Sequence, residues 1–229
     1  MREKLIKKFT FTGAIKRFFE KKGFIEVITP PMVQSPGIEP HLHPFKVQGN
    51  NIGEMYLHTS PEFHMKELLS HGLEKIFTIS YSFRDEPQST THRPQFLMLE
   101  WYEANVDYNK VIEDSINLIN ELSKQFSPNQ LMRDSEFICL TVKEAFLKFS
   151  KTDLDEVDSS LKFKNHIKNN FPQIPLPKEL LDWDDYFFLL FLNEIEPRFK
   201  DIPKLILKDY PASQAALSTL KEEDPTVCE

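Results

Sequence analysis

The sequence predicts an α+β fold, an antiparallel β-sheet flanked by helices, and two observations carry that expectation. Residues 75–104 hold two alternating segments, KIFTISYSF and QFLMLEWYE, separated by a polar loop from Pro87 to Arg93. Strict alternation marks a half-buried strand, and two such strands joined by a loop favour an antiparallel hairpin. Segments with helical periodicity stand on either side, at residues 3–22 and 108–126. One α+β domain over residues 1–229 is the simplest architecture for this pattern.

Each element has a local reason. In the first helix Phe11, Ile15, Phe18 and Phe19 form one apolar face, and Gly23 suits the position just past its end. A strand from Phe24 to Thr29 is closed by Pro30-Pro31, and Val33 to Pro44 reads as loop. Residues 55–59 predict a short strand, and Ser60-Pro61 opens a helix that Gly72 ends. Thr59 and Glu62 have capping-box spacing, as do Thr141 and Glu144, which open a helix to about Phe149. Residues 151–182 predict a polar connection with one short helix. A helix over 183–195 is ended by Pro197, a strand covers 205–211, and PASQAALSTL follows.

Composition narrows the function. The 229 residues are 40% hydrophobic with 20 Phe, enough to build a sizeable core. With 6 Gly, a glycine-rich nucleotide loop is not indicated. A formal net charge of −7 disfavours general nucleic-acid affinity, which depends on Lys and Arg releasing counterions. Cys139 and Cys228 are isolated, which suits neither a disulfide framework nor a zinc ribbon. His41 and His43 share a face of an extended segment but lack a third ligand of suitable spacing, so no metal site is predicted. MREKLIKKFT carries charge without a following apolar run, so no signal peptide is read, and FFLLFL is too short for a membrane span. A soluble cytoplasmic protein is the expectation.

The hairpin carries the chemistry. Thr78, Ser80, Ser82, Arg84 and Glu86 share one face of the first strand, while Phe96, Met98, Glu100 and Tyr102 share one face of the second. If the two faces coincide, a guanidinium suited to phosphate, a stacking ring, carboxylates and a phenol lie over one patch of sheet. The same spacing also fits a salt-bridged surface hairpin with a half-buried ring.

Several strings then point to a family. FRDE…HRPQFLMLEWY resembles motif 2 of the class II aminoacyl-tRNA synthetases, and GFIEVITPP resembles motif 1. YLHTSPEFHMKELL and SPGIEPHLHPF are similar to segments of the lysine subgroup, and YPASQAALS is similar to the lysyltransferases that modify translation elongation factor P. The resemblance runs from about residue 9 to the last residue. It implies a class II synthetase-like catalytic domain that activates lysine or β-lysine as an adenylate, using ATP with Mg²⁺. The aminoacyl group then passes to a lysine of elongation factor P. Arg84 is the implied catalytic residue, contacting the α-phosphate and the amino-acid carboxylate. Asp85, Glu86, His92 and Arg93 would join Arg84 in binding ATP, with Phe96 stacking on adenine. Ser60, Pro61, Glu62, Glu100 and Tyr102 would bind the amino acid. A homodimer through the motif 1 helix is implied as well.

Three departures qualify the resemblance. Gln95 and Arg93 stand where the family has Glu and Asn. Nothing like motif 3, with its arginine for the γ-phosphate, occurs here, so the fold is expected to be incomplete at the C-terminus with an exposed sheet edge. That expectation keeps two alternatives open, a non-catalytic ligand-binding remnant and a fragment of a lysyl-tRNA synthetase. The chain begins at the motif 1 helix without an anticodon-binding domain, which with the acidic charge favours a protein acceptor over tRNA.

Overall fold

The computed structural model describes residues 1–37, 42–87, 89–90 and 92–229. His41 falls outside the described residues. The chain divides into two compact units, Met1–Lys110 and Val111–Glu229.

The first unit opens with α1 (Arg2–Lys21), β1 (Ile25–Glu26), β2 (Met32–Val33), β3 (Lys46–Val47), β4 (Met55–Leu57) and α2 (Glu62–Ser70). The hairpin strands β5 (Lys75–Phe83) and β6 (Gln95–Glu103) follow. One sheet has the order β1-β5-β6 and a second the order β2-β4-β3. The β5–β6 pair is antiparallel, as the alternation predicts, with Phe77 opposite Trp101, Thr78 opposite Glu100 and Ser82 opposite Phe96. The β1–β5 pair is parallel, which an antiparallel reading does not anticipate; the residues between the two strands supply the long crossover that parallel pairing needs. Only two residues of the expected strand 24–29 form a ladder, and one further bond runs from Val27 N–H to the Phe77 carbonyl, 2.8 Å.

The core of this unit forms where α1 meets the odd-numbered face of the hairpin. Ala14, Ile15, Phe18 and Phe19 are the buried residues of α1. Phe19 is the hub, with ring centroids 5.0 Å from Phe77, 5.2 Å from Phe24 and 5.3 Å from Trp101. Such ring pairs contribute about 0.5–1.5 kcal/mol each beyond area burial. Gly23, at φ +81°, turns the chain from α1 into β1, a backbone state that side chains with a Cβ resist. Phe11, expected on the buried face, is 39% exposed, and Leu5, Ile6 and Phe9 are exposed beside it.

A capping box at Thr59 does not form. Helix α2 begins at Glu62 with Pro61 as its N-cap, and the Thr59 hydroxyl donates instead to the Pro36 carbonyl, 3.0 Å away. Ser60 takes over the capping role, its Oγ accepting from Glu62 N–H at 3.1 Å. The loop chemistry of residues 30–37 captured the threonine that helix spacing had assigned to a cap.

Helix α3 (Tyr108–Phe126) crosses the boundary, and the second unit continues with α4 (Gln130–Asp134), β7 (Ile138–Thr141), α5 (Val142–Ser150) and α6 (Ser160–Asn170). Then come α7 (Trp183–Leu190), β8 (Leu205–Lys208), β9 (Tyr210–Pro211) and β10 (Val227–Cys228). The capping box at Thr141 and Glu144 is present in both directions. Stacked rings of Phe146, Phe187 and Phe191 fill the core together with Phe163, Tyr186 and Leu190. The helix expected over 183–195 widens into a π-helical turn at Phe191–Ile195. The strand expected over 205–211 breaks at Asp209, whose φ of +56° is incompatible with extended pairing. β7 and β8 pair in parallel. Among the described residues no helix is long and apolar enough to cross a membrane.

Candidate functional site

The register settles whether the two hairpin faces coincide. Thr78 lies opposite Glu100 and Ser82 opposite Phe96, and directly opposed residues project to the same side of a sheet. Glu100, Phe96 and Tyr102 therefore share a face with Thr78 and Ser82, and Arg84 continues it beyond the end of β5. Thr78 and Ser82 are buried, so this face has a closed floor under its charged groups.

One end of the face holds Arg84 and Phe96. The Arg84 guanidinium lies over the Phe96 ring, 5.3 Å from its centroid. Arg84 N–H donates to the Pro94 carbonyl at 3.0 Å, fixing the strand end, while its side-chain Nε is buried with no partner among the described residues. A buried guanidinium donor without an acceptor could take an anion, because guanidinium geometry matches phosphate and carboxylate oxygens.

The other end holds a hydrogen-bonded carboxylate. Ser60 Oγ donates to Glu100 Oε2 at 3.0 Å and the Tyr102 hydroxyl donates to Oε1 at 2.7 Å. Burial raises the Glu100 pKa above the ordinary carboxylate range; the hydrogen bonds from Tyr102 and Ser60 act against that, and the Glu62 charge adds to it. Burial also pushes the Tyr102 phenol well above its ordinary value, helped by Glu100, so Tyr102 remains a donor. Glu62 pairs with Lys66 one turn along α2, Nζ to Oε1 2.6 Å. Pro61 is buried, and its carbonyl accepts from Met65 N–H.

The remaining predicted positions make other contacts. Asp85 is exposed and its N–H donates to the His43 carbonyl at 2.7 Å; Glu86 is half-buried. His92 and Arg93 are exposed, and both bond to Ser89 within the hairpin loop, through His92 Nδ1 to Oγ at 2.8 Å and Arg93 Nη1 to the carbonyl at 3.5 Å. Among the described residues no cluster of three or more His, Cys, Asp or Glu could hold a metal ion.

One residue beside the site escaped the sequence reading. His58 is 2% exposed and stands two residues before Ser60, whose hydroxyl donates to Glu100. The alternation of YLHTS puts residues 58 and 60 on one side of an extended segment, which was the available signal.

Comparison with known proteins places the chain in a family. Residues 1–227 match the family described as tRNA synthetases class II (D, K and N). The chain is 33% identical to the elongation factor P--(R)-beta-lysine ligase of Edwardsiella ictaluri and 33% identical to that of Salmonella typhi. Each alignment covers 98% of this chain and 67% of the relative. The protein of the same name from Salmonella paratyphi B is 32% identical over the same share of both chains. The family match over residues 1–227 and these identities over nearly the full chain lead to one conclusion: this chain belongs to the class II tRNA synthetases of the D, K and N group.

Proposed function

We propose that this chain activates lysine or β-lysine with ATP as an aminoacyl-adenylate and transfers it to a lysine side chain of elongation factor P. The observation that supports this reading most is the shared hairpin face. A phosphate-type donor and a stacking ring lie at one end, and a hydroxyl-braced carboxylate lies four residues along β6 from the ring, about 13 Å at the rise of an extended strand. That spacing suits a nucleotide at one end and an alkyl-ammonium at the other. The relatives are elongation factor P--(R)-beta-lysine ligases, which suggests the donor and the acceptor.

In this reading Glu100 holds the side-chain ammonium by charge, while Ser60 and Tyr102 fix its oxygens. Glu62 exchanges Lys66 for the second amine of the substrate, and Pro61 sets the start of α2 that carries it. An oxygen of the amino-acid carboxylate attacks the α-phosphorus of ATP, and pyrophosphate leaves with the bonding electron pair. Arg84 neutralises the charge gathering between carboxylate and phosphate, an electrostatic contribution present before the reaction begins. Its unpartnered buried Nε fits such an anion. Phe96 stacks on adenine, and Asp85, Glu86, His92 and Arg93 add contacts around the loop. The neutral ε-amine of the acceptor then attacks the adenylate carbonyl, an amide forms, AMP leaves and a proton passes to solvent. Mg²⁺ would accompany ATP and offset the charge of its phosphates.

The exposed apolar side chains Leu5, Ile6 and Phe9 of α1, with Ile28 at 94% exposure beyond β1, support a homodimer through this region. A net charge of −7 supports a protein acceptor over tRNA in a cytoplasmic setting. Incubation with ATP, β-lysine and elongation factor P, read by intact mass, tests the reading. The factor is expected to gain one lysyl group, and Arg84→Ala is expected to reduce the rate at least about a hundredfold. An unmodified factor in the presence of folded protein counts against the reading.

A further inference from the structure

We infer that His58 is a positioning residue for the amine-binding carboxylate: its ring, hydrogen-bonded to the Tyr81 carbonyl, holds the Ser60 hydroxyl against Glu100. The inference rests on the amino-acid site proposed above and adds a residue to it.

The argument starts at the edge of β5. The β1 ladder covers β5 only at Ile76 and Phe77. Farther along, His58 takes the place of a neighbouring strand. Its carbonyl accepts from Phe83 N–H at 3.1 Å, and its Nε2 lies 2.7 Å from the Tyr81 carbonyl oxygen. A carbonyl only accepts, so Nε2 carries the proton. The His58 N–H donates to the Pro31 carbonyl at 3.0 Å, which ties the same residue to the chain just before β2. Two backbone bonds place residue 58 beside β5, the imidazole adds the third, and Ser60 lies two residues later.

The second observation is an unmet group. His58 Nδ1 is buried with no partner among the described residues. A histidine with one bare nitrogen is a costly filler for a buried position, since an unpaired polar atom has lost its water. A leucine or methionine would fill the space without that loss. What the imidazole alone provides is a rigid donor at the Tyr81 carbonyl, and its consequence is the placement of Ser60 on Glu100 from 40 residues away in sequence.

Substitution separates positioning from filling. In His58→Gln the amide nitrogen reaches as far as Nε2 and can donate to Tyr81; in His58→Met the space is filled without a donor. The measurements are the titration of the Glu100 carboxyl by carbon NMR, assigned through Glu100→Gln, and lysine and β-lysine binding by calorimetry. Relative to His58→Gln, His58→Met is expected to raise the Glu100 titration midpoint by about one pH unit, as for a lost hydrogen bond to a charged group. It is expected to weaken amine binding about tenfold. Ser60→Ala should reproduce both shifts, and adding it to His58→Met should add little. Identical behaviour of the Gln and Met variants, or full additivity with Ser60→Ala, overturns the positioning role. If the unmodified protein binds no amine while the Glu100 titration still separates the variants, the positioning role stands and the amino-acid reading falls. If His58→Met does not fold, His58→Asn, whose shorter amide falls short of the Tyr81 carbonyl, takes its place against His58→Gln: the Asn variant must shift Glu100 upward and the Gln variant must not, and equal behaviour overturns the role.

Discussion

At Glu100, protonation bears on stability and, in the proposed reading, on amine binding in opposite senses. Its pKa in the folded protein is raised, with burial the leading cause. The native state therefore holds the proton more tightly than the unfolded chain does. By linkage, stability contributed here is full below the ordinary carboxylate value and declines as pH rises through the raised folded value. Binding of an ammonium needs the ionised form, so affinity rises over the same interval. Thermal melts of Glu100→Gln and the unmodified protein across that interval are expected to diverge, the variant losing less stability as pH rises, while amine affinity of the unmodified protein increases. Parallel melting curves contradict this account. Much of the residue-level site was legible: the alternation of QFLMLEWYE places Phe96, Glu100 and Tyr102 on one face, and the structure keeps them there. The partner of Ser60 was not legible, because Ser60 and Glu100 meet through two sheets whose packing no local spacing encodes. The Arg84–Phe96 contact was hidden similarly, since it depends on how the chain turns at the end of β5.

At the scale of elements, local signals held where competing partners were few. Thr141 and Glu144 cap α5 because β7 delivers the threonine in an extended conformation, ψ 158°, with its hydroxyl free to accept from Glu144 N–H. Thr141→Ala is expected to destabilise the protein by about 1 kcal/mol in denaturant melts, with Thr141→Ser near neutral. An alanine variant as stable as the parent contradicts a working cap. Thr59 has the same spacing and no cap, because the Pro36 carbonyl claims its hydroxyl. Sequence spacing cannot separate these two cases, since the deciding acceptor lies 23 residues away. The strand expected over 205–211 failed for a different reason: Asp209 takes a left-handed conformation that tolerates Asp better than most residues but ends the ladder.

For the whole molecule, the shared face of one hairpin organises the proposed chemistry, and all predicted site residues belong to the unit Met1–Lys110. The chain spans 67% of the length of the relatives it matches. The most direct test is amino-acid-dependent exchange of labelled pyrophosphate into ATP. Lysine or β-lysine is expected to drive exchange, and norleucine, which has the same chain without the amine, is not. Arg84→Ala should abolish exchange with either amino acid, a loss of at least about a hundredfold. Glu100→Gln should chiefly raise the amino-acid KM and leave the ATP KM unchanged. Exchange that ignores the side-chain amine, or that survives removal of the Arg84 guanidinium, contradicts the claim that one face of the hairpin joins nucleotide and ammonium.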